Sequence, residues 1–183
     1  MYVAKFITLG DDMLGNKAIK VALLISMLGF VGLTLSTQAS AACNLVKTQD
    51  GSPLGVKGTD ADTPQAKQFL ETCINPYTKA FAKDPDAAKA GKKKFGLYSC
   101  TQCHGPEAGG QVAVSITDNT WQYSKHMTDK GIFETIAGGS NAGMMTWHQQ
   151  LSNPDNPSTD DILKIIGWLR SKYKGGGDTP WLN

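Results

Sequence analysis

The chain has 183 residues, of which 40% are hydrophobic and 19% charged, with a formal net charge of +2. From residue 42 onward it carries 15 Lys and Arg against 14 Asp and Glu. That balance excludes a nucleic-acid partner, which needs a clear basic excess to neutralise phosphates, and about 140 residues in that part make one domain.

In chain order, Lys17 and Lys20 precede an apolar run from Val21 to Leu35, followed by the small residues Ala39-Ser40-Ala41. This is the layout of a secretory signal. The run is about 15 residues, short of the ~20 that a permanent membrane helix requires. Residues 1–41 are therefore expected to be removed, with the mature chain starting near Ala42 in the periplasm and holding no stable membrane span. An uncleaved anchor is one alternative. A lipid on Cys43 is another, although Ser40 stands where a lipidation signal wants a large aliphatic side chain. Met13 is a second candidate start, which would leave residues 1–12 untranslated.

Residues 44–63 are rich in Gly, Pro, Asp, Thr and Lys and read as an irregular extension. Within the segment 42–85 one short helix is expected, Pro64 to Thr72, capped by Thr63 and burying Phe69 and Leu70, with Asn75-Pro76 as its breaker. A helix from about Asp86 follows, its face carrying Ala87, Gly91, Phe95 and Tyr98 at helical spacing, and Lys92-Lys93-Lys94 on the solvated side. Residues 105–127 read as loop with at most a turn of helix. Thr128 caps a short helix through Ile132, Phe133 and Ile136, stopped by Gly138-Gly139. Ser158 and Asp161 approximate a capping box for the last helix, striped by Ile162, Ile165, Ile166 and Leu169 with Trp168 and Tyr173 beside them. Arg170, Lys172 and Lys174 suit the negative end of its dipole. The main domain is thus 86–174, and Gly175-Gly176-Gly177 opens a tail, 175–183.

Cys100-Thr101-Gln102-Cys103-His104 is the C-x-x-C-H signature of covalent haem attachment. Two thiols three positions apart at a helix end reach the two vinyl carbons of a porphyrin, and the next residue turns its imidazole to the iron. A thioredoxin-like pair wants a strand–helix context absent here, and a zinc site wants a second close pair of ligands. His104 is then the proximal iron ligand, its other nitrogen free to donate to a backbone carbonyl. The remaining cysteines, Cys43 and Cys73, are permitted a disulfide by the compartment; two free thiols, or one lost to processing, are the alternatives.

The sixth ligand sets the chemistry, since a thioether raises the potential, a second imidazole lowers it and an open position admits ligands. Met127, Met144, Met145, His126 and His148 are the candidates. Met144 and Met145 follow a Gly-rich loop and precede Trp147 and the final helix. Met144, three residues before that aromatic, is the preferred distal ligand, with Met145 as the alternative. His126 and His148 read as surface or loop residues. Trp121 and Trp147 are expected to wall the haem, with Phe95, Ile132, Phe133, Ile136, Trp168 and Leu169 completing an apolar pocket.

This order of helices resembles the class I cytochromes c, an all-α fold of three main helices around one covalent haem. Several segments resemble the cytochrome cL family more narrowly. They are Phe69 to Thr72 with Asn75-Pro76-Tyr77, Cys100 to Gly105, Asp118-Asn119 with Trp121 and Tyr123, the run Thr128 to Ile136, Gly138-Gly139, Gly143-Met144-Met145, Ile166 to Arg170, and Trp181-Leu182. The likeness covers roughly residues 59–183. Val114 departs from it, standing where such proteins carry a proline, and the mature chain is near neutral where members are often acidic.

The resemblance implies a periplasmic electron carrier rather than an enzyme, with one haem c and its iron and no catalytic residues. The implied donor is a methanol dehydrogenase containing pyrroloquinoline quinone, including the lanthanide-dependent type, and the implied acceptor a further cytochrome c or an oxidase. The alternative is a general c-type carrier, or the haem subunit of another periplasmic oxidoreductase.

Overall fold

A computed structural model describes residues 42–177 and 179–182; the secretory signal read into residues 1–41 lies outside them. Helix α1, Pro64–Thr72, starts where the Thr63 side chain accepts from the Ala66 N–H and Pro64 occupies the first turn, where its missing donor costs nothing. Asn75-Pro76 does more than break it. The Asn75 side chain caps a second helix, α2, Pro76–Lys83, accepting from the Tyr77 N–H at 3.0 Å. Its amide also donates to the Leu163 carbonyl at 3.0 Å, so the same residue starts α2 and ties it to the far end of the chain. Residues 64–85 thus hold two helices where the sequence suggested one.

Helix α3, Pro85–Leu97, is capped by Asp84, which accepts from the N–H groups of Asp86 and Ala87. It buries Ala88, Gly91 and Phe95, so the inward face is turned slightly from the expected one, with Ala88 fully covered and Ala87 half-buried. Ser99, at φ 59°, breaks the helix before a single turn, α4, Thr101–His104. A 3-10 turn spans Ser124–Met127. Helix α5, Asp129–Gly138, is capped by Thr128 and ended by Gly139 at φ 79°. Helix α6, Thr159–Ser171, carries the full capping box between Ser158 and Asp161. A 3-10 turn, Pro180–Leu182, closes the chain. Among the described residues there is no β-strand, only an isolated bridge between Val46 and Pro53.

Helix α6 is the hub. One side joins Leu45, Leu54, Phe69 and Phe133 through Ile162, Leu163 and Ile166, and the other joins Phe81, Ala88 and Phe95 through Ile165, Trp168 and Leu169. Close helix crossings require small residues. A Cβ on Gly91 of α3 would meet the Lys164 carbonyl and lie 2.6 Å from the Trp168 Cβ, and one on Gly167 would lie 2.9 Å from the Phe81 ring.

The irregular residues 42–63 belong to the first core rather than lying loosely over it. Leu45 and Leu54 are buried in it, the Val46 N–H donates to the Glu134 carboxylate at 2.8 Å, and Cys43 and Cys73 form a disulfide, their Cα atoms 5.1 Å apart. The pairing left open by the sequence is therefore made. No described helix is long and apolar enough to cross a membrane.

Candidate haem site

Helix α4 and the loop after it form one wall of a cavity of about 500 Å³, lined by Cys100, Cys103, His104, Val114, Trp121, Met144, Met145 and Trp147 among others. Phe95, Ile132, Ile136 and Leu169 also line it, as expected. Phe133 and Trp168 do not. Phe133 points into the first core against Phe69, ring centroids 4.7 Å apart, and Trp168 backs Phe95 at 4.9 Å from behind the pocket. A helical stripe tells which residues are buried, not which of two cores receives them.

The loop from Gly105 to Ile116 is drawn tightly round the helix end. Gly110 N–H donates to the His104 carbonyl at 3.0 Å, Ala113 N–H to the Cys103 carbonyl at 2.9 Å and Ile116 N–H to the Ala108 carbonyl at 3.1 Å. Gly110, at φ 94°, permits this, since a Cβ there would lie 2.9 Å from the Ser115 nitrogen. These bonds hold the Val114 carbonyl 3.4 Å from His104 Nδ1 without a proline to stiffen the loop. A carbonyl only accepts, so Nδ1 carries the proton and Nε2 keeps its lone pair for a metal. Burial holds the imidazole below its ordinary pKa, against the opposing pull of that carbonyl.

Cys100 and Cys103 are not joined to each other. Burial pushes the Cys100 thiol up to about 11, opposite to the lowered value of a thioredoxin-like nucleophile.

Met144 and Met145, also in the cavity lining, sit on a loop fixed at both ends: Ser140 N–H donates to the Met144 carbonyl at 2.9 Å and Trp147 N–H to the Ile136 carbonyl at 3.1 Å. Met144 is half-buried, whereas Met145 is 65% exposed. The N-terminal segment braces this loop, a role its composition did not announce. Gln49 donates to the Gly138 carbonyl at 2.7 Å, and Asn141 donates to the Gln49 carbonyl at 3.1 Å.

Neither of the two later histidines is a simple surface residue. His148 is fully buried, its Nε2 3.0 Å from the Thr159 hydroxyl, and lies outside the cavity lining. His126 does line the cavity, half-buried, with its Nε2 2.8 Å from the Thr135 hydroxyl. Burial, aided by the charges of Lys125 and Arg170, lowers its pKa to about 4. Met127 is 43% exposed and is absent from the lining.

The donors fit a covalent haem: two thiols and an imidazole on one helical turn, with a soft thioether and apolar and aromatic side chains lining the same cavity. Described residues that form helices and no strand, with this cavity between the first long helix and the last, define a class I c-type cytochrome.

Comparison with known proteins narrows the class. The chain is 36% identical over 170 residues to cytochrome c-L of Methylorubrum extorquens, covering 84% of this chain and 80% of that one. It superposes on cytochrome cL of the marine methylotroph Methylophaga aminisulfidivorans with a TM-score of 0.63 at 32% identity, covering 77% of this chain and 88% of the other. Against cytochrome cL of Hyphomicrobium denitrificans the TM-score is 0.61 at 33% identity, covering 74% and 76%. No protein-family model matches the chain. The chain belongs to the cytochrome c-L family. As such it is an electron-transport protein with one covalently bound haem c and its iron.

Proposed function

We propose that this protein is the periplasmic carrier that takes electrons one at a time from a methanol dehydrogenase containing pyrroloquinoline quinone and passes them to a further cytochrome or an oxidase. Residues 1–41 direct its export, and the mature chain begins near Ala42. The observation that carries the reading is that His104 and the Met144 loop line one apolar cavity, in a chain of the cytochrome c-L family. When bound, the haem supplies a one-electron ferrous–ferric couple.

The protein's own residues have positional roles. Cys100 and Cys103 hold the macrocycle through thioethers. His104 presents Nε2, oriented by its Nδ1–H on the Val114 carbonyl. Met144 supplies the thioether, its half-buried position favouring it over the exposed Met145. Trp121 and Trp147, with Phe95, Ile132, Ile136 and Leu169, keep water out, which favours the less charged ferrous state. With His104 and Met144 holding the iron, transfer would need no acid, base or nucleophile, only approach of a partner to the haem edge.

The test is stopped-flow reduction of the ferric protein by purified methanol dehydrogenase and methanol, with an unrelated cytochrome c as control. Rapid, saturable reduction confined to this protein is expected; reduction no faster than the control refutes the donor assignment.

A further inference from the structure

The last turn of α6 places Arg170 where dipole complementarity alone does not require it. Its side chain is 6% exposed and points back into the protein. Nε donates to Asp129 Oδ1 at 2.8 Å and an Nη donates to the His126 carbonyl at 2.9 Å, while the other Asp129 oxygen accepts from the Thr78 hydroxyl. These bonds use the edge of the guanidinium and leave both its faces free. Two indoles pack against it: Arg170 Cζ lies 3.9 Å from the ring centre of Trp181 and 5.4 Å from that of Trp121, and the two indoles meet edge to face with their centres 5.8 Å apart. Tyr173 completes the group, stacked on Trp121 at 5.8 Å and 8° and set edge-on to Trp181 at 4.9 Å.

Two members of this group touch but come from distant parts of the chain. Trp121 walls the haem cavity, and Trp181 belongs to the final 3-10 turn. The tail between them is guided back rather than trailing. Lys174 N–H donates to the Thr117 carbonyl at 2.7 Å, and Gly175 passes where a Cβ would lie 2.6 Å from Asn119. Thr117 and Asn119 belong to the loop that carries Trp121.

We propose that Arg170 is a positioning residue for the haem cavity: packed against both Trp181 and Trp121, it seats Trp181 on the Trp121 wall, so that the C-terminal turn governs how much water reaches the haem. Only a planar cation with donors on its rim can make this arrangement, which a lysine cannot. The inference rests on the haem occupying this cavity, which the low-spin spectrum of the unaltered protein reports separately.

The experiment compares the mature holoprotein with Trp181→Ala, Trp181→Phe and a chain ending at Gly177. The readouts are the reduction potential and the rate of cyanide binding to the ferric form. Trp181→Ala and the shortened chain are expected to bind cyanide faster and to shift the ferrous–ferric equilibrium toward ferric by up to about tenfold, about 59 mV for one electron. Trp181→Phe, which keeps a ring on the cation, is expected to stay near the unaltered protein. Unchanged potential and cyanide rate in Trp181→Ala and the shortened chain overturn the proposal, even if thermal stability falls. So does a Trp181→Phe variant as perturbed as Trp181→Ala. An unaltered protein without a low-spin haem spectrum refutes the cavity assignment instead.

Discussion

Gly91→Ala sets two energies of opposite sign against each other at the crossing of α3 and α6. In an isolated helix alanine is favoured over glycine by about 1 kcal/mol. Here the new Cβ would lie 2.6 Å from the Trp168 Cβ and closer still to the Lys164 carbonyl. Neither is the end of a flexible chain, so relief requires the helices to part by roughly 1 Å, and a gap of that size forfeits up to half of each dispersion contact it opens. Overpacking of this kind costs about 3 kcal/mol at the upper end of its usual range. The net is a loss of about 2 kcal/mol, or a Tm lower by roughly 8 °C at ~4 °C per kcal/mol for a chain of this size. Gly96→Ala is the internal control, because it lies on the same helix and nothing stands within 4 Å of its Cβ. That variant is expected to match or exceed the unaltered protein. Thermal unfolding of the two holoproteins, followed by far-ultraviolet circular dichroism, decides the matter: a Gly91→Ala protein as stable as Gly96→Ala refutes the packing argument.

Replacing Cys43 and Cys73 together by Ala removes a bridge of sequence separation 30, worth roughly 3–4 kcal/mol by chain entropy, and chemical denaturation should read that loss. Met144→Ala is expected to abolish the low-spin ferric spectrum while Met145→Ala keeps it; the reverse pattern assigns the iron to Met145. Burial would raise the pKa of Glu134, but Lys125, Lys130 and the Val46 N–H outweigh it and hold the carboxyl below its ordinary 4.5. A depressed carboxyl contributes stability above its unfolded value and loses it as pH falls through the folded one. Glu134→Gln should therefore flatten the stability curve below about pH 4.5, and equal slopes in the two proteins would count against this account.

Local signals carried much of the fold. Thr63-Pro64, Thr128 with Gly138-Gly139, and Ser158 with Asp161 mark helix ends by side-chain chemistry that acts within a few residues, and all appear where expected. Asn75-Pro76 was ambiguous for the same reason, since the pair that ends one helix is also the best start for another. What eluded the sequence depends on distant contacts. Leu45 and Leu54 have no periodicity to announce them, yet they are core residues because α1 and α5 come to meet them. Arg170 looks like a dipole complement until Asp129, 41 positions away, claims its edge. At the haem site, spacing sufficed to gather Cys100, Cys103, His104 and the Met144 loop around one cavity. It did not foresee His126 in the wall, where neighbouring side chains rather than its own segment decide its burial.

The four cysteines fall into two pairs packed against different halves of the core, Cys43 with the first cluster and Cys100 with the second. Their chemical needs are opposed. The Cys43–Cys73 bridge forms by oxidation, whereas Cys100 and Cys103 are free thiols, and the proposed thioethers to haem would consume them in that state. Oxidation that closes the first pair must therefore leave Cys100 and Cys103 reduced if they are to take up haem. Order of emergence helps, because Cys43 and Cys73 both precede the haem motif and can be joined before Cys100 appears.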